Sequence, residues 1–424
     1  MCIHSSIAGE LSFVLNPYNG LFHQHEAPMQ PINAVAAASH PDPYPYYRRL
    51  LTGPQLVFDP GLQMWIACRQ AVIQEILQNP HCQVRPTGEP VPKAIAGSSA
   101  GAVFASLMRM NEGTRHAIPR QAIGQALAAL DLASVTSTSR HFASTLGAGY
   151  GFHDAAAITG WVFDLPTYVV ADLLGLDNAE LPLMAQSMAH FVRCLSPLST
   201  TEQLADASTA AQALQERFAR LIHPNLTRPA GLLANVRRHA SVAGWVDEEA
   251  IAANLIGLLS QTHEATAGLI GNGIVALLSQ PRLQERLRGD HRLAAAFVHE
   301  VARFDPPIQN TRRFVAQETR VAGVALQPGD AILLLLAAAG RDEQAHLQPD
   351  VFLLEREERT LSGFGHGCHA CPGRELAILI ATSAIEHLLS LPAALDPATL
   401  GWTYRTSLNG RLPEFFTLPL KELP

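Results

Sequence analysis

Near its C-terminus the chain reads Phe364-Gly365-His366-Gly367-Cys368-His369-Ala370-Cys371-Pro372-Gly373-Arg374-Glu375-Leu376-Ala377. Three glycines in ten residues favour a tight loop, because glycine adopts backbone conformations that other residues resist and lets a planar group approach the main chain. Apolar residues after Gly373 predict a helix over 374–389, so Cys371 stands just before a helix N-terminus. There the dipole and the free N–H groups stabilise negative charge, which favours a thiolate. Cys368 and Cys371 also form a C-x-x-C, a spacing that elsewhere marks a thiol–disulfide pair or half of a zinc site. No second C-x-x-C completes such a site, since Cys2, Cys68, Cys82 and Cys194 are scattered. A zinc or redox protein built on the pair is therefore the weaker reading.

A thiolate so placed suits axial ligation of haem iron. The stretch resembles, nearly position for position, the haem-binding loop of the cytochrome P450 superfamily, and the resemblance runs from roughly residue 42 to the end. It implies a mainly α fold with small β-sheets, a triangular helical domain enclosing haem b. Cys371 matches the iron ligand, Phe364 the aromatic that shields the sulfur, and His369 a propionate-contacting position, with Gly365 and Gly373 shaping the loop. Covalent haem attachment would need C-x-x-C-H, but Pro372 follows Cys371.

Composition agrees with one large globular unit. At 424 residues, 48% of them hydrophobic, the chain can bury a large core. No Gly/Ser-rich linker, charge block or internal repeat divides it. A single domain over 42–424 is expected, after an irregular leader over 1–41 punctuated by Pro17, Pro28, Pro31 and Pro41. The net charge of −7 leaves no basic stripe for nucleic acid. Six unpatterned cysteines fit a reducing compartment. Phe13-Val14-Leu15 and Leu21-Phe22 fall far short of the ~20 apolar residues of a membrane span, and nothing reads as a signal peptide, so a cytoplasmic location is expected. Strand-like segments at 55–58 and 64–67 are joined by Asp59-Pro60-Gly61. Segments at 321–324 and 331–336 flank Gln327-Pro328-Gly329-Asp330 and read as a second hairpin. The middle of the chain is Ala- and Leu-rich and helical.

Glu300 and Arg303 stand at i and i+3, which puts carboxylate and guanidinium on one helix face. Followed by Phe304-Asp305-Pro306-Pro307, they resemble the family's Glu-x-x-Arg helix, which implies a structural role in locking the segment before the haem loop. Haem also carries two propionates, and arginine's planar fork binds carboxylates bidentately. His116 and Arg120, at i and i+4, match the family's His-x-x-x-Arg helix, although Asn111-Glu112-Gly113 replaces the usual Asp-Pro-Pro before it. Arg312 and Arg313 supply another propionate candidate: downstream spacing favours Arg313, and upstream spacing favours Arg312.

From Asp247 to Gln280 one long helical pattern begins with acidic residues and ends before Pro281. About 34 residues at ~1.5 Å each make a rod of roughly 50 Å, apolar nearly all round and so a core helix. Its middle, Gln261-Thr262-His263-Glu264-Ala265-Thr266, resembles the family's oxygen-activating Ala-Gly-x-(Asp/Glu)-Thr. The acid is present as Glu264, but Ala265 occupies the place of the hydroxyl. Thr266 does not substitute, because one residue along a helix turns the side chain by about 100°. In the family that hydroxyl positions the water that delivers protons for O–O cleavage. Three readings stay open: a substrate hydroxyl completes the relay, Gln261, Thr262 or Glu264 organises another water chain, or the chemistry differs.

The resemblance thus implies a monooxygenase that inserts one oxygen atom from O2 into a mid-sized organic substrate, in specialised metabolism. NAD(P)H electrons would arrive through a ferredoxin and its reductase. The substrate, free or bound to a carrier protein, would meet Gln309, Asn310 and Leu408 among other residues. The alternative keeps the haem-thiolate fold with peroxygenase, dehydratase or isomerase chemistry, or with a binding or sensing role.

Overall fold

The computed structural model describes residues 30–152, 154–223, 231–391 and 395–419. Most of the expected leader, with its apolar patches at 13–15 and 21–22, lies outside these residues. The part that is described belongs to the core: Ala34, Ala37 and Ala38 are fully buried around a short 3-10 turn, Ala36–Ser39.

The long helix spans Glu248–Ser279. It starts there because the Asp247 side chain accepts the Ala250 N–H at 2.9 Å, and Glu248 and Glu249 in the first turn complement the dipole. It packs against the helices Ala155–Leu173, Thr201–Ile222, Arg374–Leu389, Ser99–Ser106 and Ala294–Phe304. Small residues let neighbours come close: a Cβ at Gly257 would meet Leu107 at 2.6 Å, and one at Gly268 would meet Pro307 at 2.6 Å. Among the described residues no helix is long and apolar enough to cross a membrane.

The strands are β1 (Leu56–Asp59), β2 (Met64–Ala67), β3 (Cys82–Gln83), β4 (Thr311–Val315), β5 (Thr319–Val321), β6 (Val324–Leu326), β7 (Ala331–Leu334), β8 (Leu400–Tyr404) and β9 (Pro413–Thr417). The main sheet has the order β1-β2-β7-β4-β3, and β5-β6 and β8-β9 form two-stranded ribbons. The first expected hairpin is present, with Leu56 opposite Ala67. The second is corrected. β5 and β6 turn at Ala322-Gly323, both with positive φ, and β7 leaves the hairpin to pair with β2 and β4. Burial explains the difference: Ile332, Leu333 and Leu334 are fully buried, so both edges of β7 need partners.

Arg411 ties the ends of this architecture together. Its guanidinium pairs with Asp305 at 2.9 Å and donates to the carbonyls of His40 at 2.5 Å and Pro41 at 2.9 Å.

Candidate active site

The Cys371 loop is two short 3-10 turns, Ser362–Phe364 and Gly367–His369, followed by the helix Arg374–Leu389. Gly365 and Gly367 take φ of +72° and +68°, the left-handed region that glycine enters without strain. The Cys371 N–H donates to the Phe364 carbonyl at 2.8 Å, which closes the loop. Protein surrounds the Cys371 thiol on most sides, yet the residue is open to water on one, so it borders a recess. Burial pushes the thiol above its usual range, against the pull of the Gly373 N–H and the charges of Arg120 and Arg374.

Beside the loop lie the expected haem-contacting side chains. His116 Nδ1 donates to the Met108 carbonyl at 3.0 Å, and its Nε2 lies 3.2 Å from the Cys368 carbonyl. Its ring sits 3.9 Å, centroid to centroid, from that of His369, whose Nε2 donates to Glu112 at 3.1 Å. Burial works against the charge of Glu112, but the bonds from His369 and the Val84 N–H hold its carboxyl below the usual range. Arg120 donates to the Ala370 carbonyl at 3.1 Å. The alternation of β4 sends Arg312 and Arg313 to opposite faces. Arg313 comes out within the electrostatic reach of Glu112 and Cys368, on the side of His369.

The middle of the long helix opens where the sequence singles it out. From Ile251 to Val275 every residue is buried except Gln261, which is exposed, and Thr262, Glu264 and Ala265, which are half-buried. An exposed stretch halfway along an otherwise buried helix borders an opening in the core, read here as the cavity wall. Burial raises the Glu264 carboxyl to about 6, against the pull of Arg405 and then Arg109. His263 points the other way, into the protein. It contacts Thr167 at 3.1 Å, and burial, reinforced by Arg405, lowers it to about 4. Thr266 is buried, off the open face. Gln261 Nε2 donates to the Gly257 carbonyl at 2.7 Å and Thr262 Oγ1 to that of Leu258 at 2.8 Å, so both polar groups are partly spent on their own helix.

Glu300 and Arg303 are fully buried and joined at 2.6 Å. Glu300 also meets Arg356 at 3.2 Å, Arg359 at 3.0 Å and the Leu353 N–H at 3.0 Å, while Arg303 donates to the carbonyls of Gly340, Pro349 and Val351. Burial opposes ionisation of Glu300, yet these partners hold its carboxyl below the usual range. The pair locks the 340–359 segment that leads into the loop.

Two of the pocket expectations are corrected. Gln309 and Asn310 are fully buried, and their amides are spent internally: Gln309 on Pro306 at 2.7 Å and Tyr47 at 3.1 Å, Asn310 on the Leu408 carbonyl at 2.9 Å. They shape the wall without offering it polar groups. Leu408 is half-buried.

The family model for cytochrome P450 matches residues 230–391, which hold the long helix, the Glu300 cluster and the Cys371 loop. The chain is similar to the biotin biosynthesis cytochrome P450 of Bacillus subtilis, 29% identical over 267 residues that cover 63% of this chain and 66% of that one. It is similar also to the putative cytochrome P450 133B2 of Xylella fastidiosa, 30% identical over 260 residues, 60% of this chain and 64% of that one. The matches thus span just under two thirds of each relative's length. Its fold resembles that of P450BioI in complex with hexadec-9Z-enoic acid ligated acyl carrier protein, with a TM-score of 0.77 and 24% identity over 90% of this chain and 99% of that one.

Residues 230–391 thus carry the cytochrome P450 pattern, and the chain has the cytochrome P450 fold.

P450 haem is held through a cysteine thiolate, and the residues here suit that group. A dry thiolate needs a positive partner, which iron supplies. Among the described residues the buried Nε atoms of Arg120 and Arg312 have no hydrogen-bond partner, which leaves guanidinium donors for carboxylates such as the propionates. Three contributors to this site escape sequence reading. Glu112 shows only as a departure from Asp-Pro-Pro. Arg356 and Arg359 sit in a charged run, Glu355-Arg356-Glu357-Glu358-Arg359, that looks solvent-facing.

Proposed function

We propose that this chain is a haem-thiolate monooxygenase that inserts one oxygen atom from O2 into a mid-sized organic substrate of specialised metabolism. It would act as a single domain, fed with NAD(P)H electrons by a ferredoxin and its reductase. The observation that carries the reading is the enclosed Cys371 thiol, open on one side and set at the N-terminus of the Arg374–Leu389 helix. Cys371 would hold the iron. Arg120, Arg313, His116 and His369 would hold the propionates, with Arg312 as a further donor from the opposite strand face. When bound, haem supplies the dioxygen chemistry. The protein's part is to position substrate and move protons. Glu264 changes protonation near pH 6 at the cavity wall, a value suited to proton transfer at neutral pH. Ala265 has no hydroxyl to pass a proton on, and Thr262 and Gln261 direct donors to their own helix. A hydroxyl of the substrate itself, lodged against Ala265, completes the relay in this reading. P450BioI was solved with an acyl chain on a carrier protein, which makes carrier-bound substrates worth including in any screen.

The ligand assignment is tested by the optical spectrum of the reduced, CO-bound protein. It should carry the signature of thiolate ligation, lose it in Cys371→His and keep it in Cys368→Ser; the reverse pattern would move the ligand to Cys368. Ala265→Thr tests the relay. It should leave the coupling of NAD(P)H use to product nearly unchanged, whereas a large gain would show that the missing hydroxyl handicaps the enzyme. Ala265 also favours a second reading, peroxide-driven oxidation, which turnover with hydrogen peroxide in the absence of ferredoxin would support.

A further inference from the structure

Arg109 lies in a short 3-10 turn, Met108–Met110, that is pinned to the long helix. The Met108 N–H donates to Asn254 Oδ1 at 2.8 Å, and Asn254 Nδ2 donates to the Ser106 carbonyl at 2.8 Å. Leu107 packs on Gly257, where a Cβ would leave only 2.6 Å. Gly257, Gln261 and Glu264 follow one another on a single helix face. Arg109, two residues beyond Leu107, therefore reaches the open stretch of that helix, and its charge is felt by Glu264 and by Cys194 of the turn Val192–Leu195. Two other segments, the long helix and the turn Val192–Leu195, thus lie within its electrostatic reach.

Its hydrogen bonding is unfinished. The Nε atom is buried without a partner, and among the described residues the side chain makes no hydrogen bond or ion pair. Arg109 is nonetheless only half-buried, so the rest of its guanidinium is open to water beside this stretch of the helix. Burial lowers its affinity for its own proton, opposed by Glu264 and Cys194. Glu264 does not satisfy it: no ion pair joins the two, and this acid drifts toward neutrality near pH 6. The other cation nearby, Arg405, is already bonded to Glu414 at 2.7 Å. A guanidinium whose Nε is buried without a partner is shaped to take a carboxylate with two parallel N–H bonds.

We infer that Arg109 is the docking group for a substrate carboxylate, so that the cavity above the long helix selects acids over their neutral counterparts. The inference rests on reading that cavity as the substrate site, and it deepens that reading by naming the substrate class.

The test uses the haem-loaded protein and a panel of pairs: dodecanoate, biphenylcarboxylate and cyclohexylbutanoate, each against its methyl ester. Binding is measured by calorimetry and, separately, by the haem spin-state shift. The protein should bind at least one acid about tenfold to a hundredfold more tightly than its ester, the scale of a hydrogen bond to a charged group. Arg109→Gln should erase that preference, and Arg109→Lys should retain part of it. Loss of preference in Gln with retention in Lys excludes mere misfolding, which an unchanged absorption spectrum and melting temperature also check. No acid preference anywhere in the panel, or a preference that survives in Arg109→Gln, overturns the inference. If esters still shift the spin state, the substrate-site reading stands and only the role of Arg109 fails. Arg109-dependent binding without any spin shift overturns the placement above the haem.

Discussion

Two acids on core helices, Glu300 and Glu264, are driven in opposite directions by their surroundings. Glu300 is fully enclosed, meets three arginines and a backbone N–H, and stays ionised. Glu264 is half-buried on the open stretch of its helix and has only the distant pull of Arg405 and Arg109, and burial wins. Both sit on helices of the core. The difference lies in whether the charge is matched on the spot or left to whatever enters the cavity. A matched buried charge fixes a structure; an unmatched one keeps a site responsive to protons and ligands.

The strongest way to break the comparison is to unmatch the matched acid. Glu300→Ala strands Arg303, Arg356 and Arg359 in a dry cluster and should cost about 3–5 kcal/mol, the scale for removing one partner of a buried pair. Denaturant unfolding measures the loss, and reduced haem content should accompany it. A variant within 1 kcal/mol of the parent, a deliberately rough threshold of about that size, would mean the cluster holds nothing together.

A smaller effect sharpens the contrast. The Glu264 carboxyl is raised from 4.5 to about 6, so the unfolded chain ionises first as pH rises. Its contribution to stability is present below pH 4.5 and is lost as pH rises through about 6. Glu264→Gln removes that loss. The variant should gain on the parent by about 2 kcal/mol between pH 4 and 7, from roughly 1.4 kcal/mol per pKa unit. Glu300→Gln should show the opposite sign, with its deficit shrinking as pH falls below the usual carboxylate range, because the parent's depressed carboxyl then takes up its proton. Parallel pH profiles for the two variants would sink the distinction.

The smallest effect is the control. Arg286 and Glu355 pair at the surface, both more than half exposed. Arg286→Ala should change stability by less than about 1 kcal/mol, since water already serves both charges.

Much of this was legible in the chain itself. The loop around Cys371, the helix over 374–389 and the long helix from Asp247 follow from glycine placement and apolar patterning, while the locking role of Glu300 and Arg303 is implied by the family resemblance. What escaped depends on contacts across the chain. Gln309 and Asn310 read as pocket amides, but distant Tyr47 and Leu408 engage them. β7 read as half of a hairpin, but its apolar run needed two neighbours, one of them some 270 residues earlier in β2. Arg109 carries no sequence signal, because what distinguishes it is a partner that is missing, and absence of a contact has no spacing.

The grip of Arg411 on Asp305, His40 and Pro41 has a consequence in time. A ribosome delivers His40 long before Arg411. Until that guanidinium emerges, Asp305 and the two carbonyls wait for the contacts that it makes in the folded chain. The N-terminal seam can therefore take its final form only once Arg411 has joined it, a long-range contact that local folding alone cannot make.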